Sequence, residues 1–136
     1  MLREEKLSNL KELLNNFLIT QSDVQGQILI AYPAGVPIVN TWKGEINPIL
    51  IGALSAAVKL TFRKLYKNLK KGELNRLYMN SERGRAIIQN AGASAILTTI
   101  IDVEADLGRI AFNMSNLALE IEKQLKDFKM EGVSDL

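Results

Sequence analysis

The segment Ile46–Lys71 constrains this chain more than any other, because it has the spacing of a helix yet is apolar on two sides. Placed at about 100° per residue, Leu50, Ile51, Leu54, Val58, Phe62, Leu65 and Leu69 form one stripe, sufficient to seat a helix on a core. Ile46, Ile49, Ala53, Ala57 and Leu60 form a second stripe well round the cylinder. Two apolar faces need two surfaces to lie against. The first stripe is therefore expected against the chain's own sheet. The second is expected against another copy of the protein, or alternatively under the chain's own N-terminal helix. Lys59, Arg63, Tyr66 and Lys70 fall on neither stripe and are expected to face outward.

The remaining chain supplies a compact set of elements. Leu7, Leu10, Leu14, Phe17 and Leu18 recur at helical spacing, so residues 3–19 read as an amphipathic helix. Val24–Tyr32 is β-favouring and its Ile28-Leu29-Ile30-Ala31-Tyr32 stretch is apolar at both parities, which places it centrally in a sheet covered on both faces. Pro33-Ala34-Gly35 is a turn, and Val36–Trp42 a second strand whose Pro37 suits an edge or a strand start. Asn47-Pro48 starts the long helix: Asn caps, and Pro lacks only an N–H that the first turn does not use. Gly72 is the expected stop, after a lysine-rich last turn that complements the helix dipole.

Strands are expected at Glu73–Asn80, Arg85–Asn90 and Ser94–Ile101, the last again apolar both ways. Leu107, Ile110, Met114, Leu117, Ile121, Leu125 and Phe128 then define a final helix, for which Asp102 or Asp106 is the cap. A single domain over residues 1–130 and a short frayed tail over 131–136 follow. The order α-β-β-α-β-β-β-α, with two doubly buried strands, has one economical solution. It is an α+β fold in which the first and last strands pair centrally, giving a five-stranded antiparallel sheet of order 2-1-5-4-3 with helices on both faces.

Composition removes several chemistries. The 136 residues include no Cys and no His, so thiol nucleophiles, disulfides, Cys/His metal sites and the commonest general base are absent. Neither Gly-x-x-x-x-Gly-Lys-[Ser/Thr] nor Gly-x-Ser-x-Gly occurs. No catalytic residue, metal site or cofactor is expected, and the chain reads as a binding protein rather than an enzyme. Asp102, Glu104 and Asp106 alternate as cation ligands can, but the EF-hand glycine is missing, so helix capping is the preferred reading. Trp42 reads as a lid on the core rather than a binding anchor. No signal peptide and no apolar run near the ~20 residues of a membrane span is present, so a cytoplasmic protein without stable membrane insertion is expected.

The net charge of +2 is too small to imply nucleic acid, but its distribution is uneven. No acid occurs between Glu45 and Glu73, where Lys59, Arg63, Lys64, Lys67, Lys70 and Lys71 all fall. This run reads either as a solvated helix end or as a landing surface for an acidic partner, with membrane or nucleic acid as further alternatives. The third strand is an edge, and an unblocked edge recruits another strand; Arg76 is its candidate guard.

The pattern resembles the Roadblock/dynein-light-chain superfamily, and in particular its prokaryotic small-GTPase regulators. The resemblance runs through Val24-Gln25-Gly26, Ala34-Gly35-Val36-Pro37-Ile38-Val39, Gly72-Glu73-Leu74, Gly84-Arg85-Ala86-Ile87-Ile88 and Asp106-Leu107-Gly108-Arg109-Ile110. It implies a homodimer, or a heterodimer with a paralogue, in which second helices lie side by side and third strands pair at their edges. The interface so implied comprises Ile46, Ile49, Ala53, Ala56, Ala57, Leu60 and Lys64 on the helix, with Glu73, Asn75, Leu77 and Met79 on the strand. It also implies a non-catalytic regulator or scaffold of a small Ras-like GTPase, or a structural adaptor in a motor or signalling assembly. Lys59, Arg63, Tyr66, Lys67 and Lys70 would then meet the partner, with Arg63 the first candidate for an arginine supplied in trans.

Overall fold

The computed structural model describes the backbone of residues 4–134 and the side chains of residues 4–126. Eight elements follow the expected order: α1 (Glu4–Thr20), β1 (Val24–Ala31), β2 (Pro37–Asn40), α2 (Pro48–Asn68), β3 (Arg76–Asn80), β4 (Arg85–Asn90), β5 (Ala95–Ile101) and α3 (Leu107–Ser134). The strands form one antiparallel sheet of order β2-β1-β5-β4-β3, as the doubly buried β1 and β5 required. The backbone of α3 runs on to Ser134, so the tail expected at 131–136 begins inside it; the Phe128 side chain and residues 135–136 lie outside the described residues.

Alternation divides the sheet into two unequal cores. Leu29, Leu97 and Ile87 point to one face, where Leu10, Leu14 and Phe17 of α1 and Ile110, Met114, Leu117 and Ile121 of α3 bury them. Ile28, Ile30, Ile96 and Ile88 point to the other, a much smaller cluster reached by Ile46, Ile51 and Val58 from α2 and its approach. The register joins both sets across the sheet: Leu29 faces Val39 on one side and Leu97 on the other. Two pairs of buried polar groups are matched within it, Gln27 Nε2 donating to Thr99 Oγ1 at 2.9 Å and Thr98 Oγ1 to Ser55 Oγ at 3.0 Å, while Gln27 Oε1 has no partner.

Helix ends follow local chemistry. Asn47 Oδ1 accepts from the Leu50 N–H at 3.2 Å with Pro48 behind it, and Asp106 Oδ1 accepts from the Arg109 N–H at 3.2 Å. Asp102 has another role, accepting from Gln25 Nε2 at 2.5 Å. Trp42 lies half-buried across Gly26, where an added Cβ would come 2.5 Å from Trp42 Cε3. The strand expected over Val36–Trp42 narrows to Pro37–Asn40, with Pro37 at its first residue.

The stop of α2 differs from expectation. Lys70, two residues before the positive-φ Gly72, already takes the left-handed position that ends the helix, at φ 57°, with the Lys71 N–H donating to the Tyr66 carbonyl and the Lys70 N–H to the Lys67 carbonyl. Only glycine adopts that conformation without cost. Lys70→Gly is expected to stabilise the fold by about 0.5–1 kcal/mol, read as a higher urea midpoint at unchanged slope. A lower midpoint would show that the Lys70 side chain has a tertiary role.

Candidate functional site

The face of α2 that meets the sheet is its least greasy one. Gly52, Ser55, Ala56 and Lys59 are the buried residues of this helix. Small residues let the helix lie close: an added Cβ on Gly52 would come 2.3 Å from the Gly35 carbonyl oxygen. The stripe expected against the sheet is therefore mostly turned away from it. Leu50, Leu54, Phe62, Leu65 and Leu69 are exposed, Leu54 by 55%, while Ile51 and Val58 at the margin pack on the smaller core. The physical reason is that a helix seated through glycine and alanine cannot also seat a row of leucines on the same flat sheet.

The second stripe divides. Ile49 is 74% exposed, and Ala53 and Ala57 are exposed beside it. Ile46 and Leu60 are half-buried, and Ile46 packs against the small core. Ala56, expected at an interface, is buried within its own chain. Seen from outside, α2 thus presents Ile49, Leu50, Ala53, Leu54 and Ala57 in its first half and Phe62 and Leu65 in its second, with Leu69 just past its end.

This surface continues into the sheet edge. β3 is the terminal strand, and a groove of about 560 Å³ runs between Val58, Phe62 and Leu65 of α2, with Leu69 just after it, and Leu74, Leu77 and Met79. The strand is shorter than expected: Glu73 and Asn75 lie before it, Glu73 turned to Arg63 and the Asn75 carbonyl accepting from Asn90 N–H at 3.0 Å. Arg76 does not guard the edge. It is tied to Gln89 Oε1 at 2.6 Å, to Tyr78 Oη at 2.9 Å and to Ser115 Oγ of α3 at 2.5 Å. The outer backbone of β3 is thereby left as an unpaired edge.

The basic residues behave unequally. Arg63, Lys64, Lys67, Lys70 and Lys71 are exposed, as is Tyr66. Arg63 pairs with Glu73 at 3.4 Å, and that carboxylate favours its charged form. Lys59 overturns expectation: it is only 4% exposed, its Nζ lying 4.7 Å from the centroid of the Tyr32 ring. Burial and then the nearby Arg63 charge hold its amine below the usual lysine range. An isolated lysine in an apolar pattern gives no sign of this, because its long stem buries readily on either side of a helix.

Among the described residues, no group of three or more His, Cys, Asp or Glu is placed to hold a metal ion, and no helix is long and apolar enough to cross a membrane. No protein-family model matches the chain, and no curated protein does either. Solved structures do match in fold. MglB of Myxococcus xanthus superposes with a TM-score of 0.84 at 15% identity, covering 93% of this chain and 95% of that one. The gliding protein MglB of Thermus thermophilus gives 0.82 at 18% identity over 93% and 96%. A Roadblock/LC7 domain from Streptomyces avermitilis gives 0.79 at 14% identity over 85% and 97%.

Proposed function

Starting from a Roadblock fold, we propose that this chain is a non-catalytic regulator or scaffold of a small Ras-like GTPase that works as a dimer. The observation that carries the reading is the uncovered apolar face of α2 lying beside the unpaired edge of β3. Both features have one remedy. A second copy, related by a two-fold axis, sets α2 against α2 and β3 against β3, burying the groove and completing the edge hydrogen bonds. The same operation would join two five-stranded sheets into one rigid layer. The seam centres on Ile49, Ala53 and Ala57 from the expected set, with Leu77 and Met79 at the strand, and is widened by Leu50, Leu54, Phe62 and Leu65. A Roadblock paralogue could supply the same surface.

The platform made by two α2 helices would bear Arg63, Tyr66, Lys67 and Lys70 at its ends, a positive field suited to an acidic partner. Regulation in this reading is positional: a rigid surface binds one conformation of the GTPase switch segments better than the other and shifts their equilibrium. Hydrolysis can be accelerated in this way without any residue of this chain entering the chemistry, by holding the partner's own groups in place.

A pull-down with a purified small Ras-like GTPase from the same genome, loaded with GDP or a non-hydrolysable GTP analogue, tests the reading. Preference for one nucleotide state is expected. Absence of binding overturns it, and equal binding in both states favours the adaptor. Reversing charge at Lys67 and Lys70 together is expected to weaken the complex by at least about tenfold and to flatten its salt dependence, measured by titration at two ionic strengths. An unchanged affinity removes this end of the helix from the interface.

A further inference from the structure

Lys59 is the charged side chain that α2 turns inward, and it reaches a second, polar site. Its ammonium lies against the Tyr32 ring, and among the described residues no carboxylate or carbonyl accepts a hydrogen bond from it. The three donors of this amine are thus held in a nearly buried position against a ring face, with Arg63 and Glu73 within electrostatic reach but not bonded to it. Such a group is costly unless an acceptor completes it.

The amine lines a cleft of about 290 Å³ between the second half of α2, the segment before β3 and the turn joining β4 to β5, with Tyr32, Arg63, Glu73, Asn90 and Gly92 around it. One further buried group there that could donate to an acceptor lacks a partner, the Tyr32 hydroxyl; Asn90 Oδ1 is also unpartnered but can only accept. Arg63 is near enough to Tyr32 to act on it electrostatically, but no hydrogen bond of ordinary geometry joins them. The local charge is positive: Lys59 and Arg63 face one acid, Glu73, and that acid is occupied by Arg63 at 3.4 Å. Water would satisfy a donor but would not offset the charge. A group that only accepts and carries negative charge satisfies both needs.

We infer that this cleft binds the oxyanion of a small molecule, a carboxylate or a phosphate, with the buried Lys59 as its principal donor and Arg63 at its rim. The volume suits a small metabolite and is near the lower limit of ordinary ligand pockets, about 300 Å³. The site lies beside the α2 face described above and does not depend on the GTPase reading.

Calorimetric titration of the full chain at constant ionic strength tests this, with inorganic phosphate in one arm and succinate in the other. Saturable binding in at least one arm is expected, and the tighter arm identifies the source of the oxyanion. Lys59→Met is expected to weaken that binding by about tenfold or more, the effect of losing one charge-assisted hydrogen bond. Glu73→Gln, an exposed change that leaves the packing intact, is expected to tighten it severalfold by removing the competing carboxylate. Binding in neither arm overturns the inference. So does binding that both variants leave unchanged, which would assign the anion to the exposed lysines.

Discussion

Leu54→Glu is expected to convert a dimer into monomers, raising the dissociation constant by about a thousandfold. The residue is 55% exposed and contributes nothing to the core of its own chain, so the fold should survive. In a two-fold interface each substitution occurs twice, and the two carboxylates would approach each other in an apolar seam. Desolvation and like-charge repulsion of that kind cost several kcal/mol, and about 4 kcal/mol corresponds to that shift. Light scattering over a concentration series reads the mass directly, and circular dichroism confirms that the helices remain. A wild type that is monomeric at micromolar concentration would dismiss the seam, and a Leu54→Glu protein that dimerises as well as the wild type would relocate it. Ala53→Glu tests the neighbouring part of the same face and is expected to act in the same direction.

The second large effect concerns how α2 is held at its height above the sheet. An added Cβ on Gly52 would come 2.3 Å from the Gly35 carbonyl oxygen and 3.3 Å from Pro37 Cγ. Gly35 cannot retreat easily, because its φ is +84° and its N–H donates to the Ala31 carbonyl at 2.8 Å. Gly52→Ala must therefore lift the helix or break the β1–β2 turn, and is expected to cost about 3 kcal/mol. Urea unfolding followed by fluorescence of Trp42 measures it. Gly72→Ala provides the contrast: its φ is +86° but the space around it is open, so the cost should be only that of the backbone, about 1 kcal/mol. If the two variants lose equal stability, steric closeness at Gly52 is not what holds the helix down. The effect would extend to function, since a lifted α2 no longer presents its apolar face level with β3.

Much of this arrangement could be read in advance because the signals were local. β1 and β5 declared themselves central by being apolar at both parities, which led to the strand order that the structure has. Asn47-Pro48 opened α2 through a cap and a pre-set φ, and Asp106 opened α3. Other features were not legible for a common reason. The length of β3, the guard role assigned to Arg76 and the αL position at Lys70 all depend on partners remote in sequence, or on a competition between two neighbouring residues.

The orientation of α2 illustrates the division most clearly. Its amino-acid pattern alone pointed to a helix with more apolar surface than one core can use. Periodicity reports that a stripe must be covered, but it does not say by what. Leucine and phenylalanine were expected on the sheet because burial favours large apolar groups. The assembled chain seats Gly52, Ser55 and Ala56 there instead, since the smaller core is filled by isoleucines from the strands and by Ile46, Ile51 and Val58 at the margin of α2. Close approach through small residues then turns Leu50, Leu54, Phe62 and Leu65 outward and Lys59 inward. The excess of apolar surface was a property of the sequence; the direction it faces, and the positive cleft beneath it, were set only when the helix met the sheet.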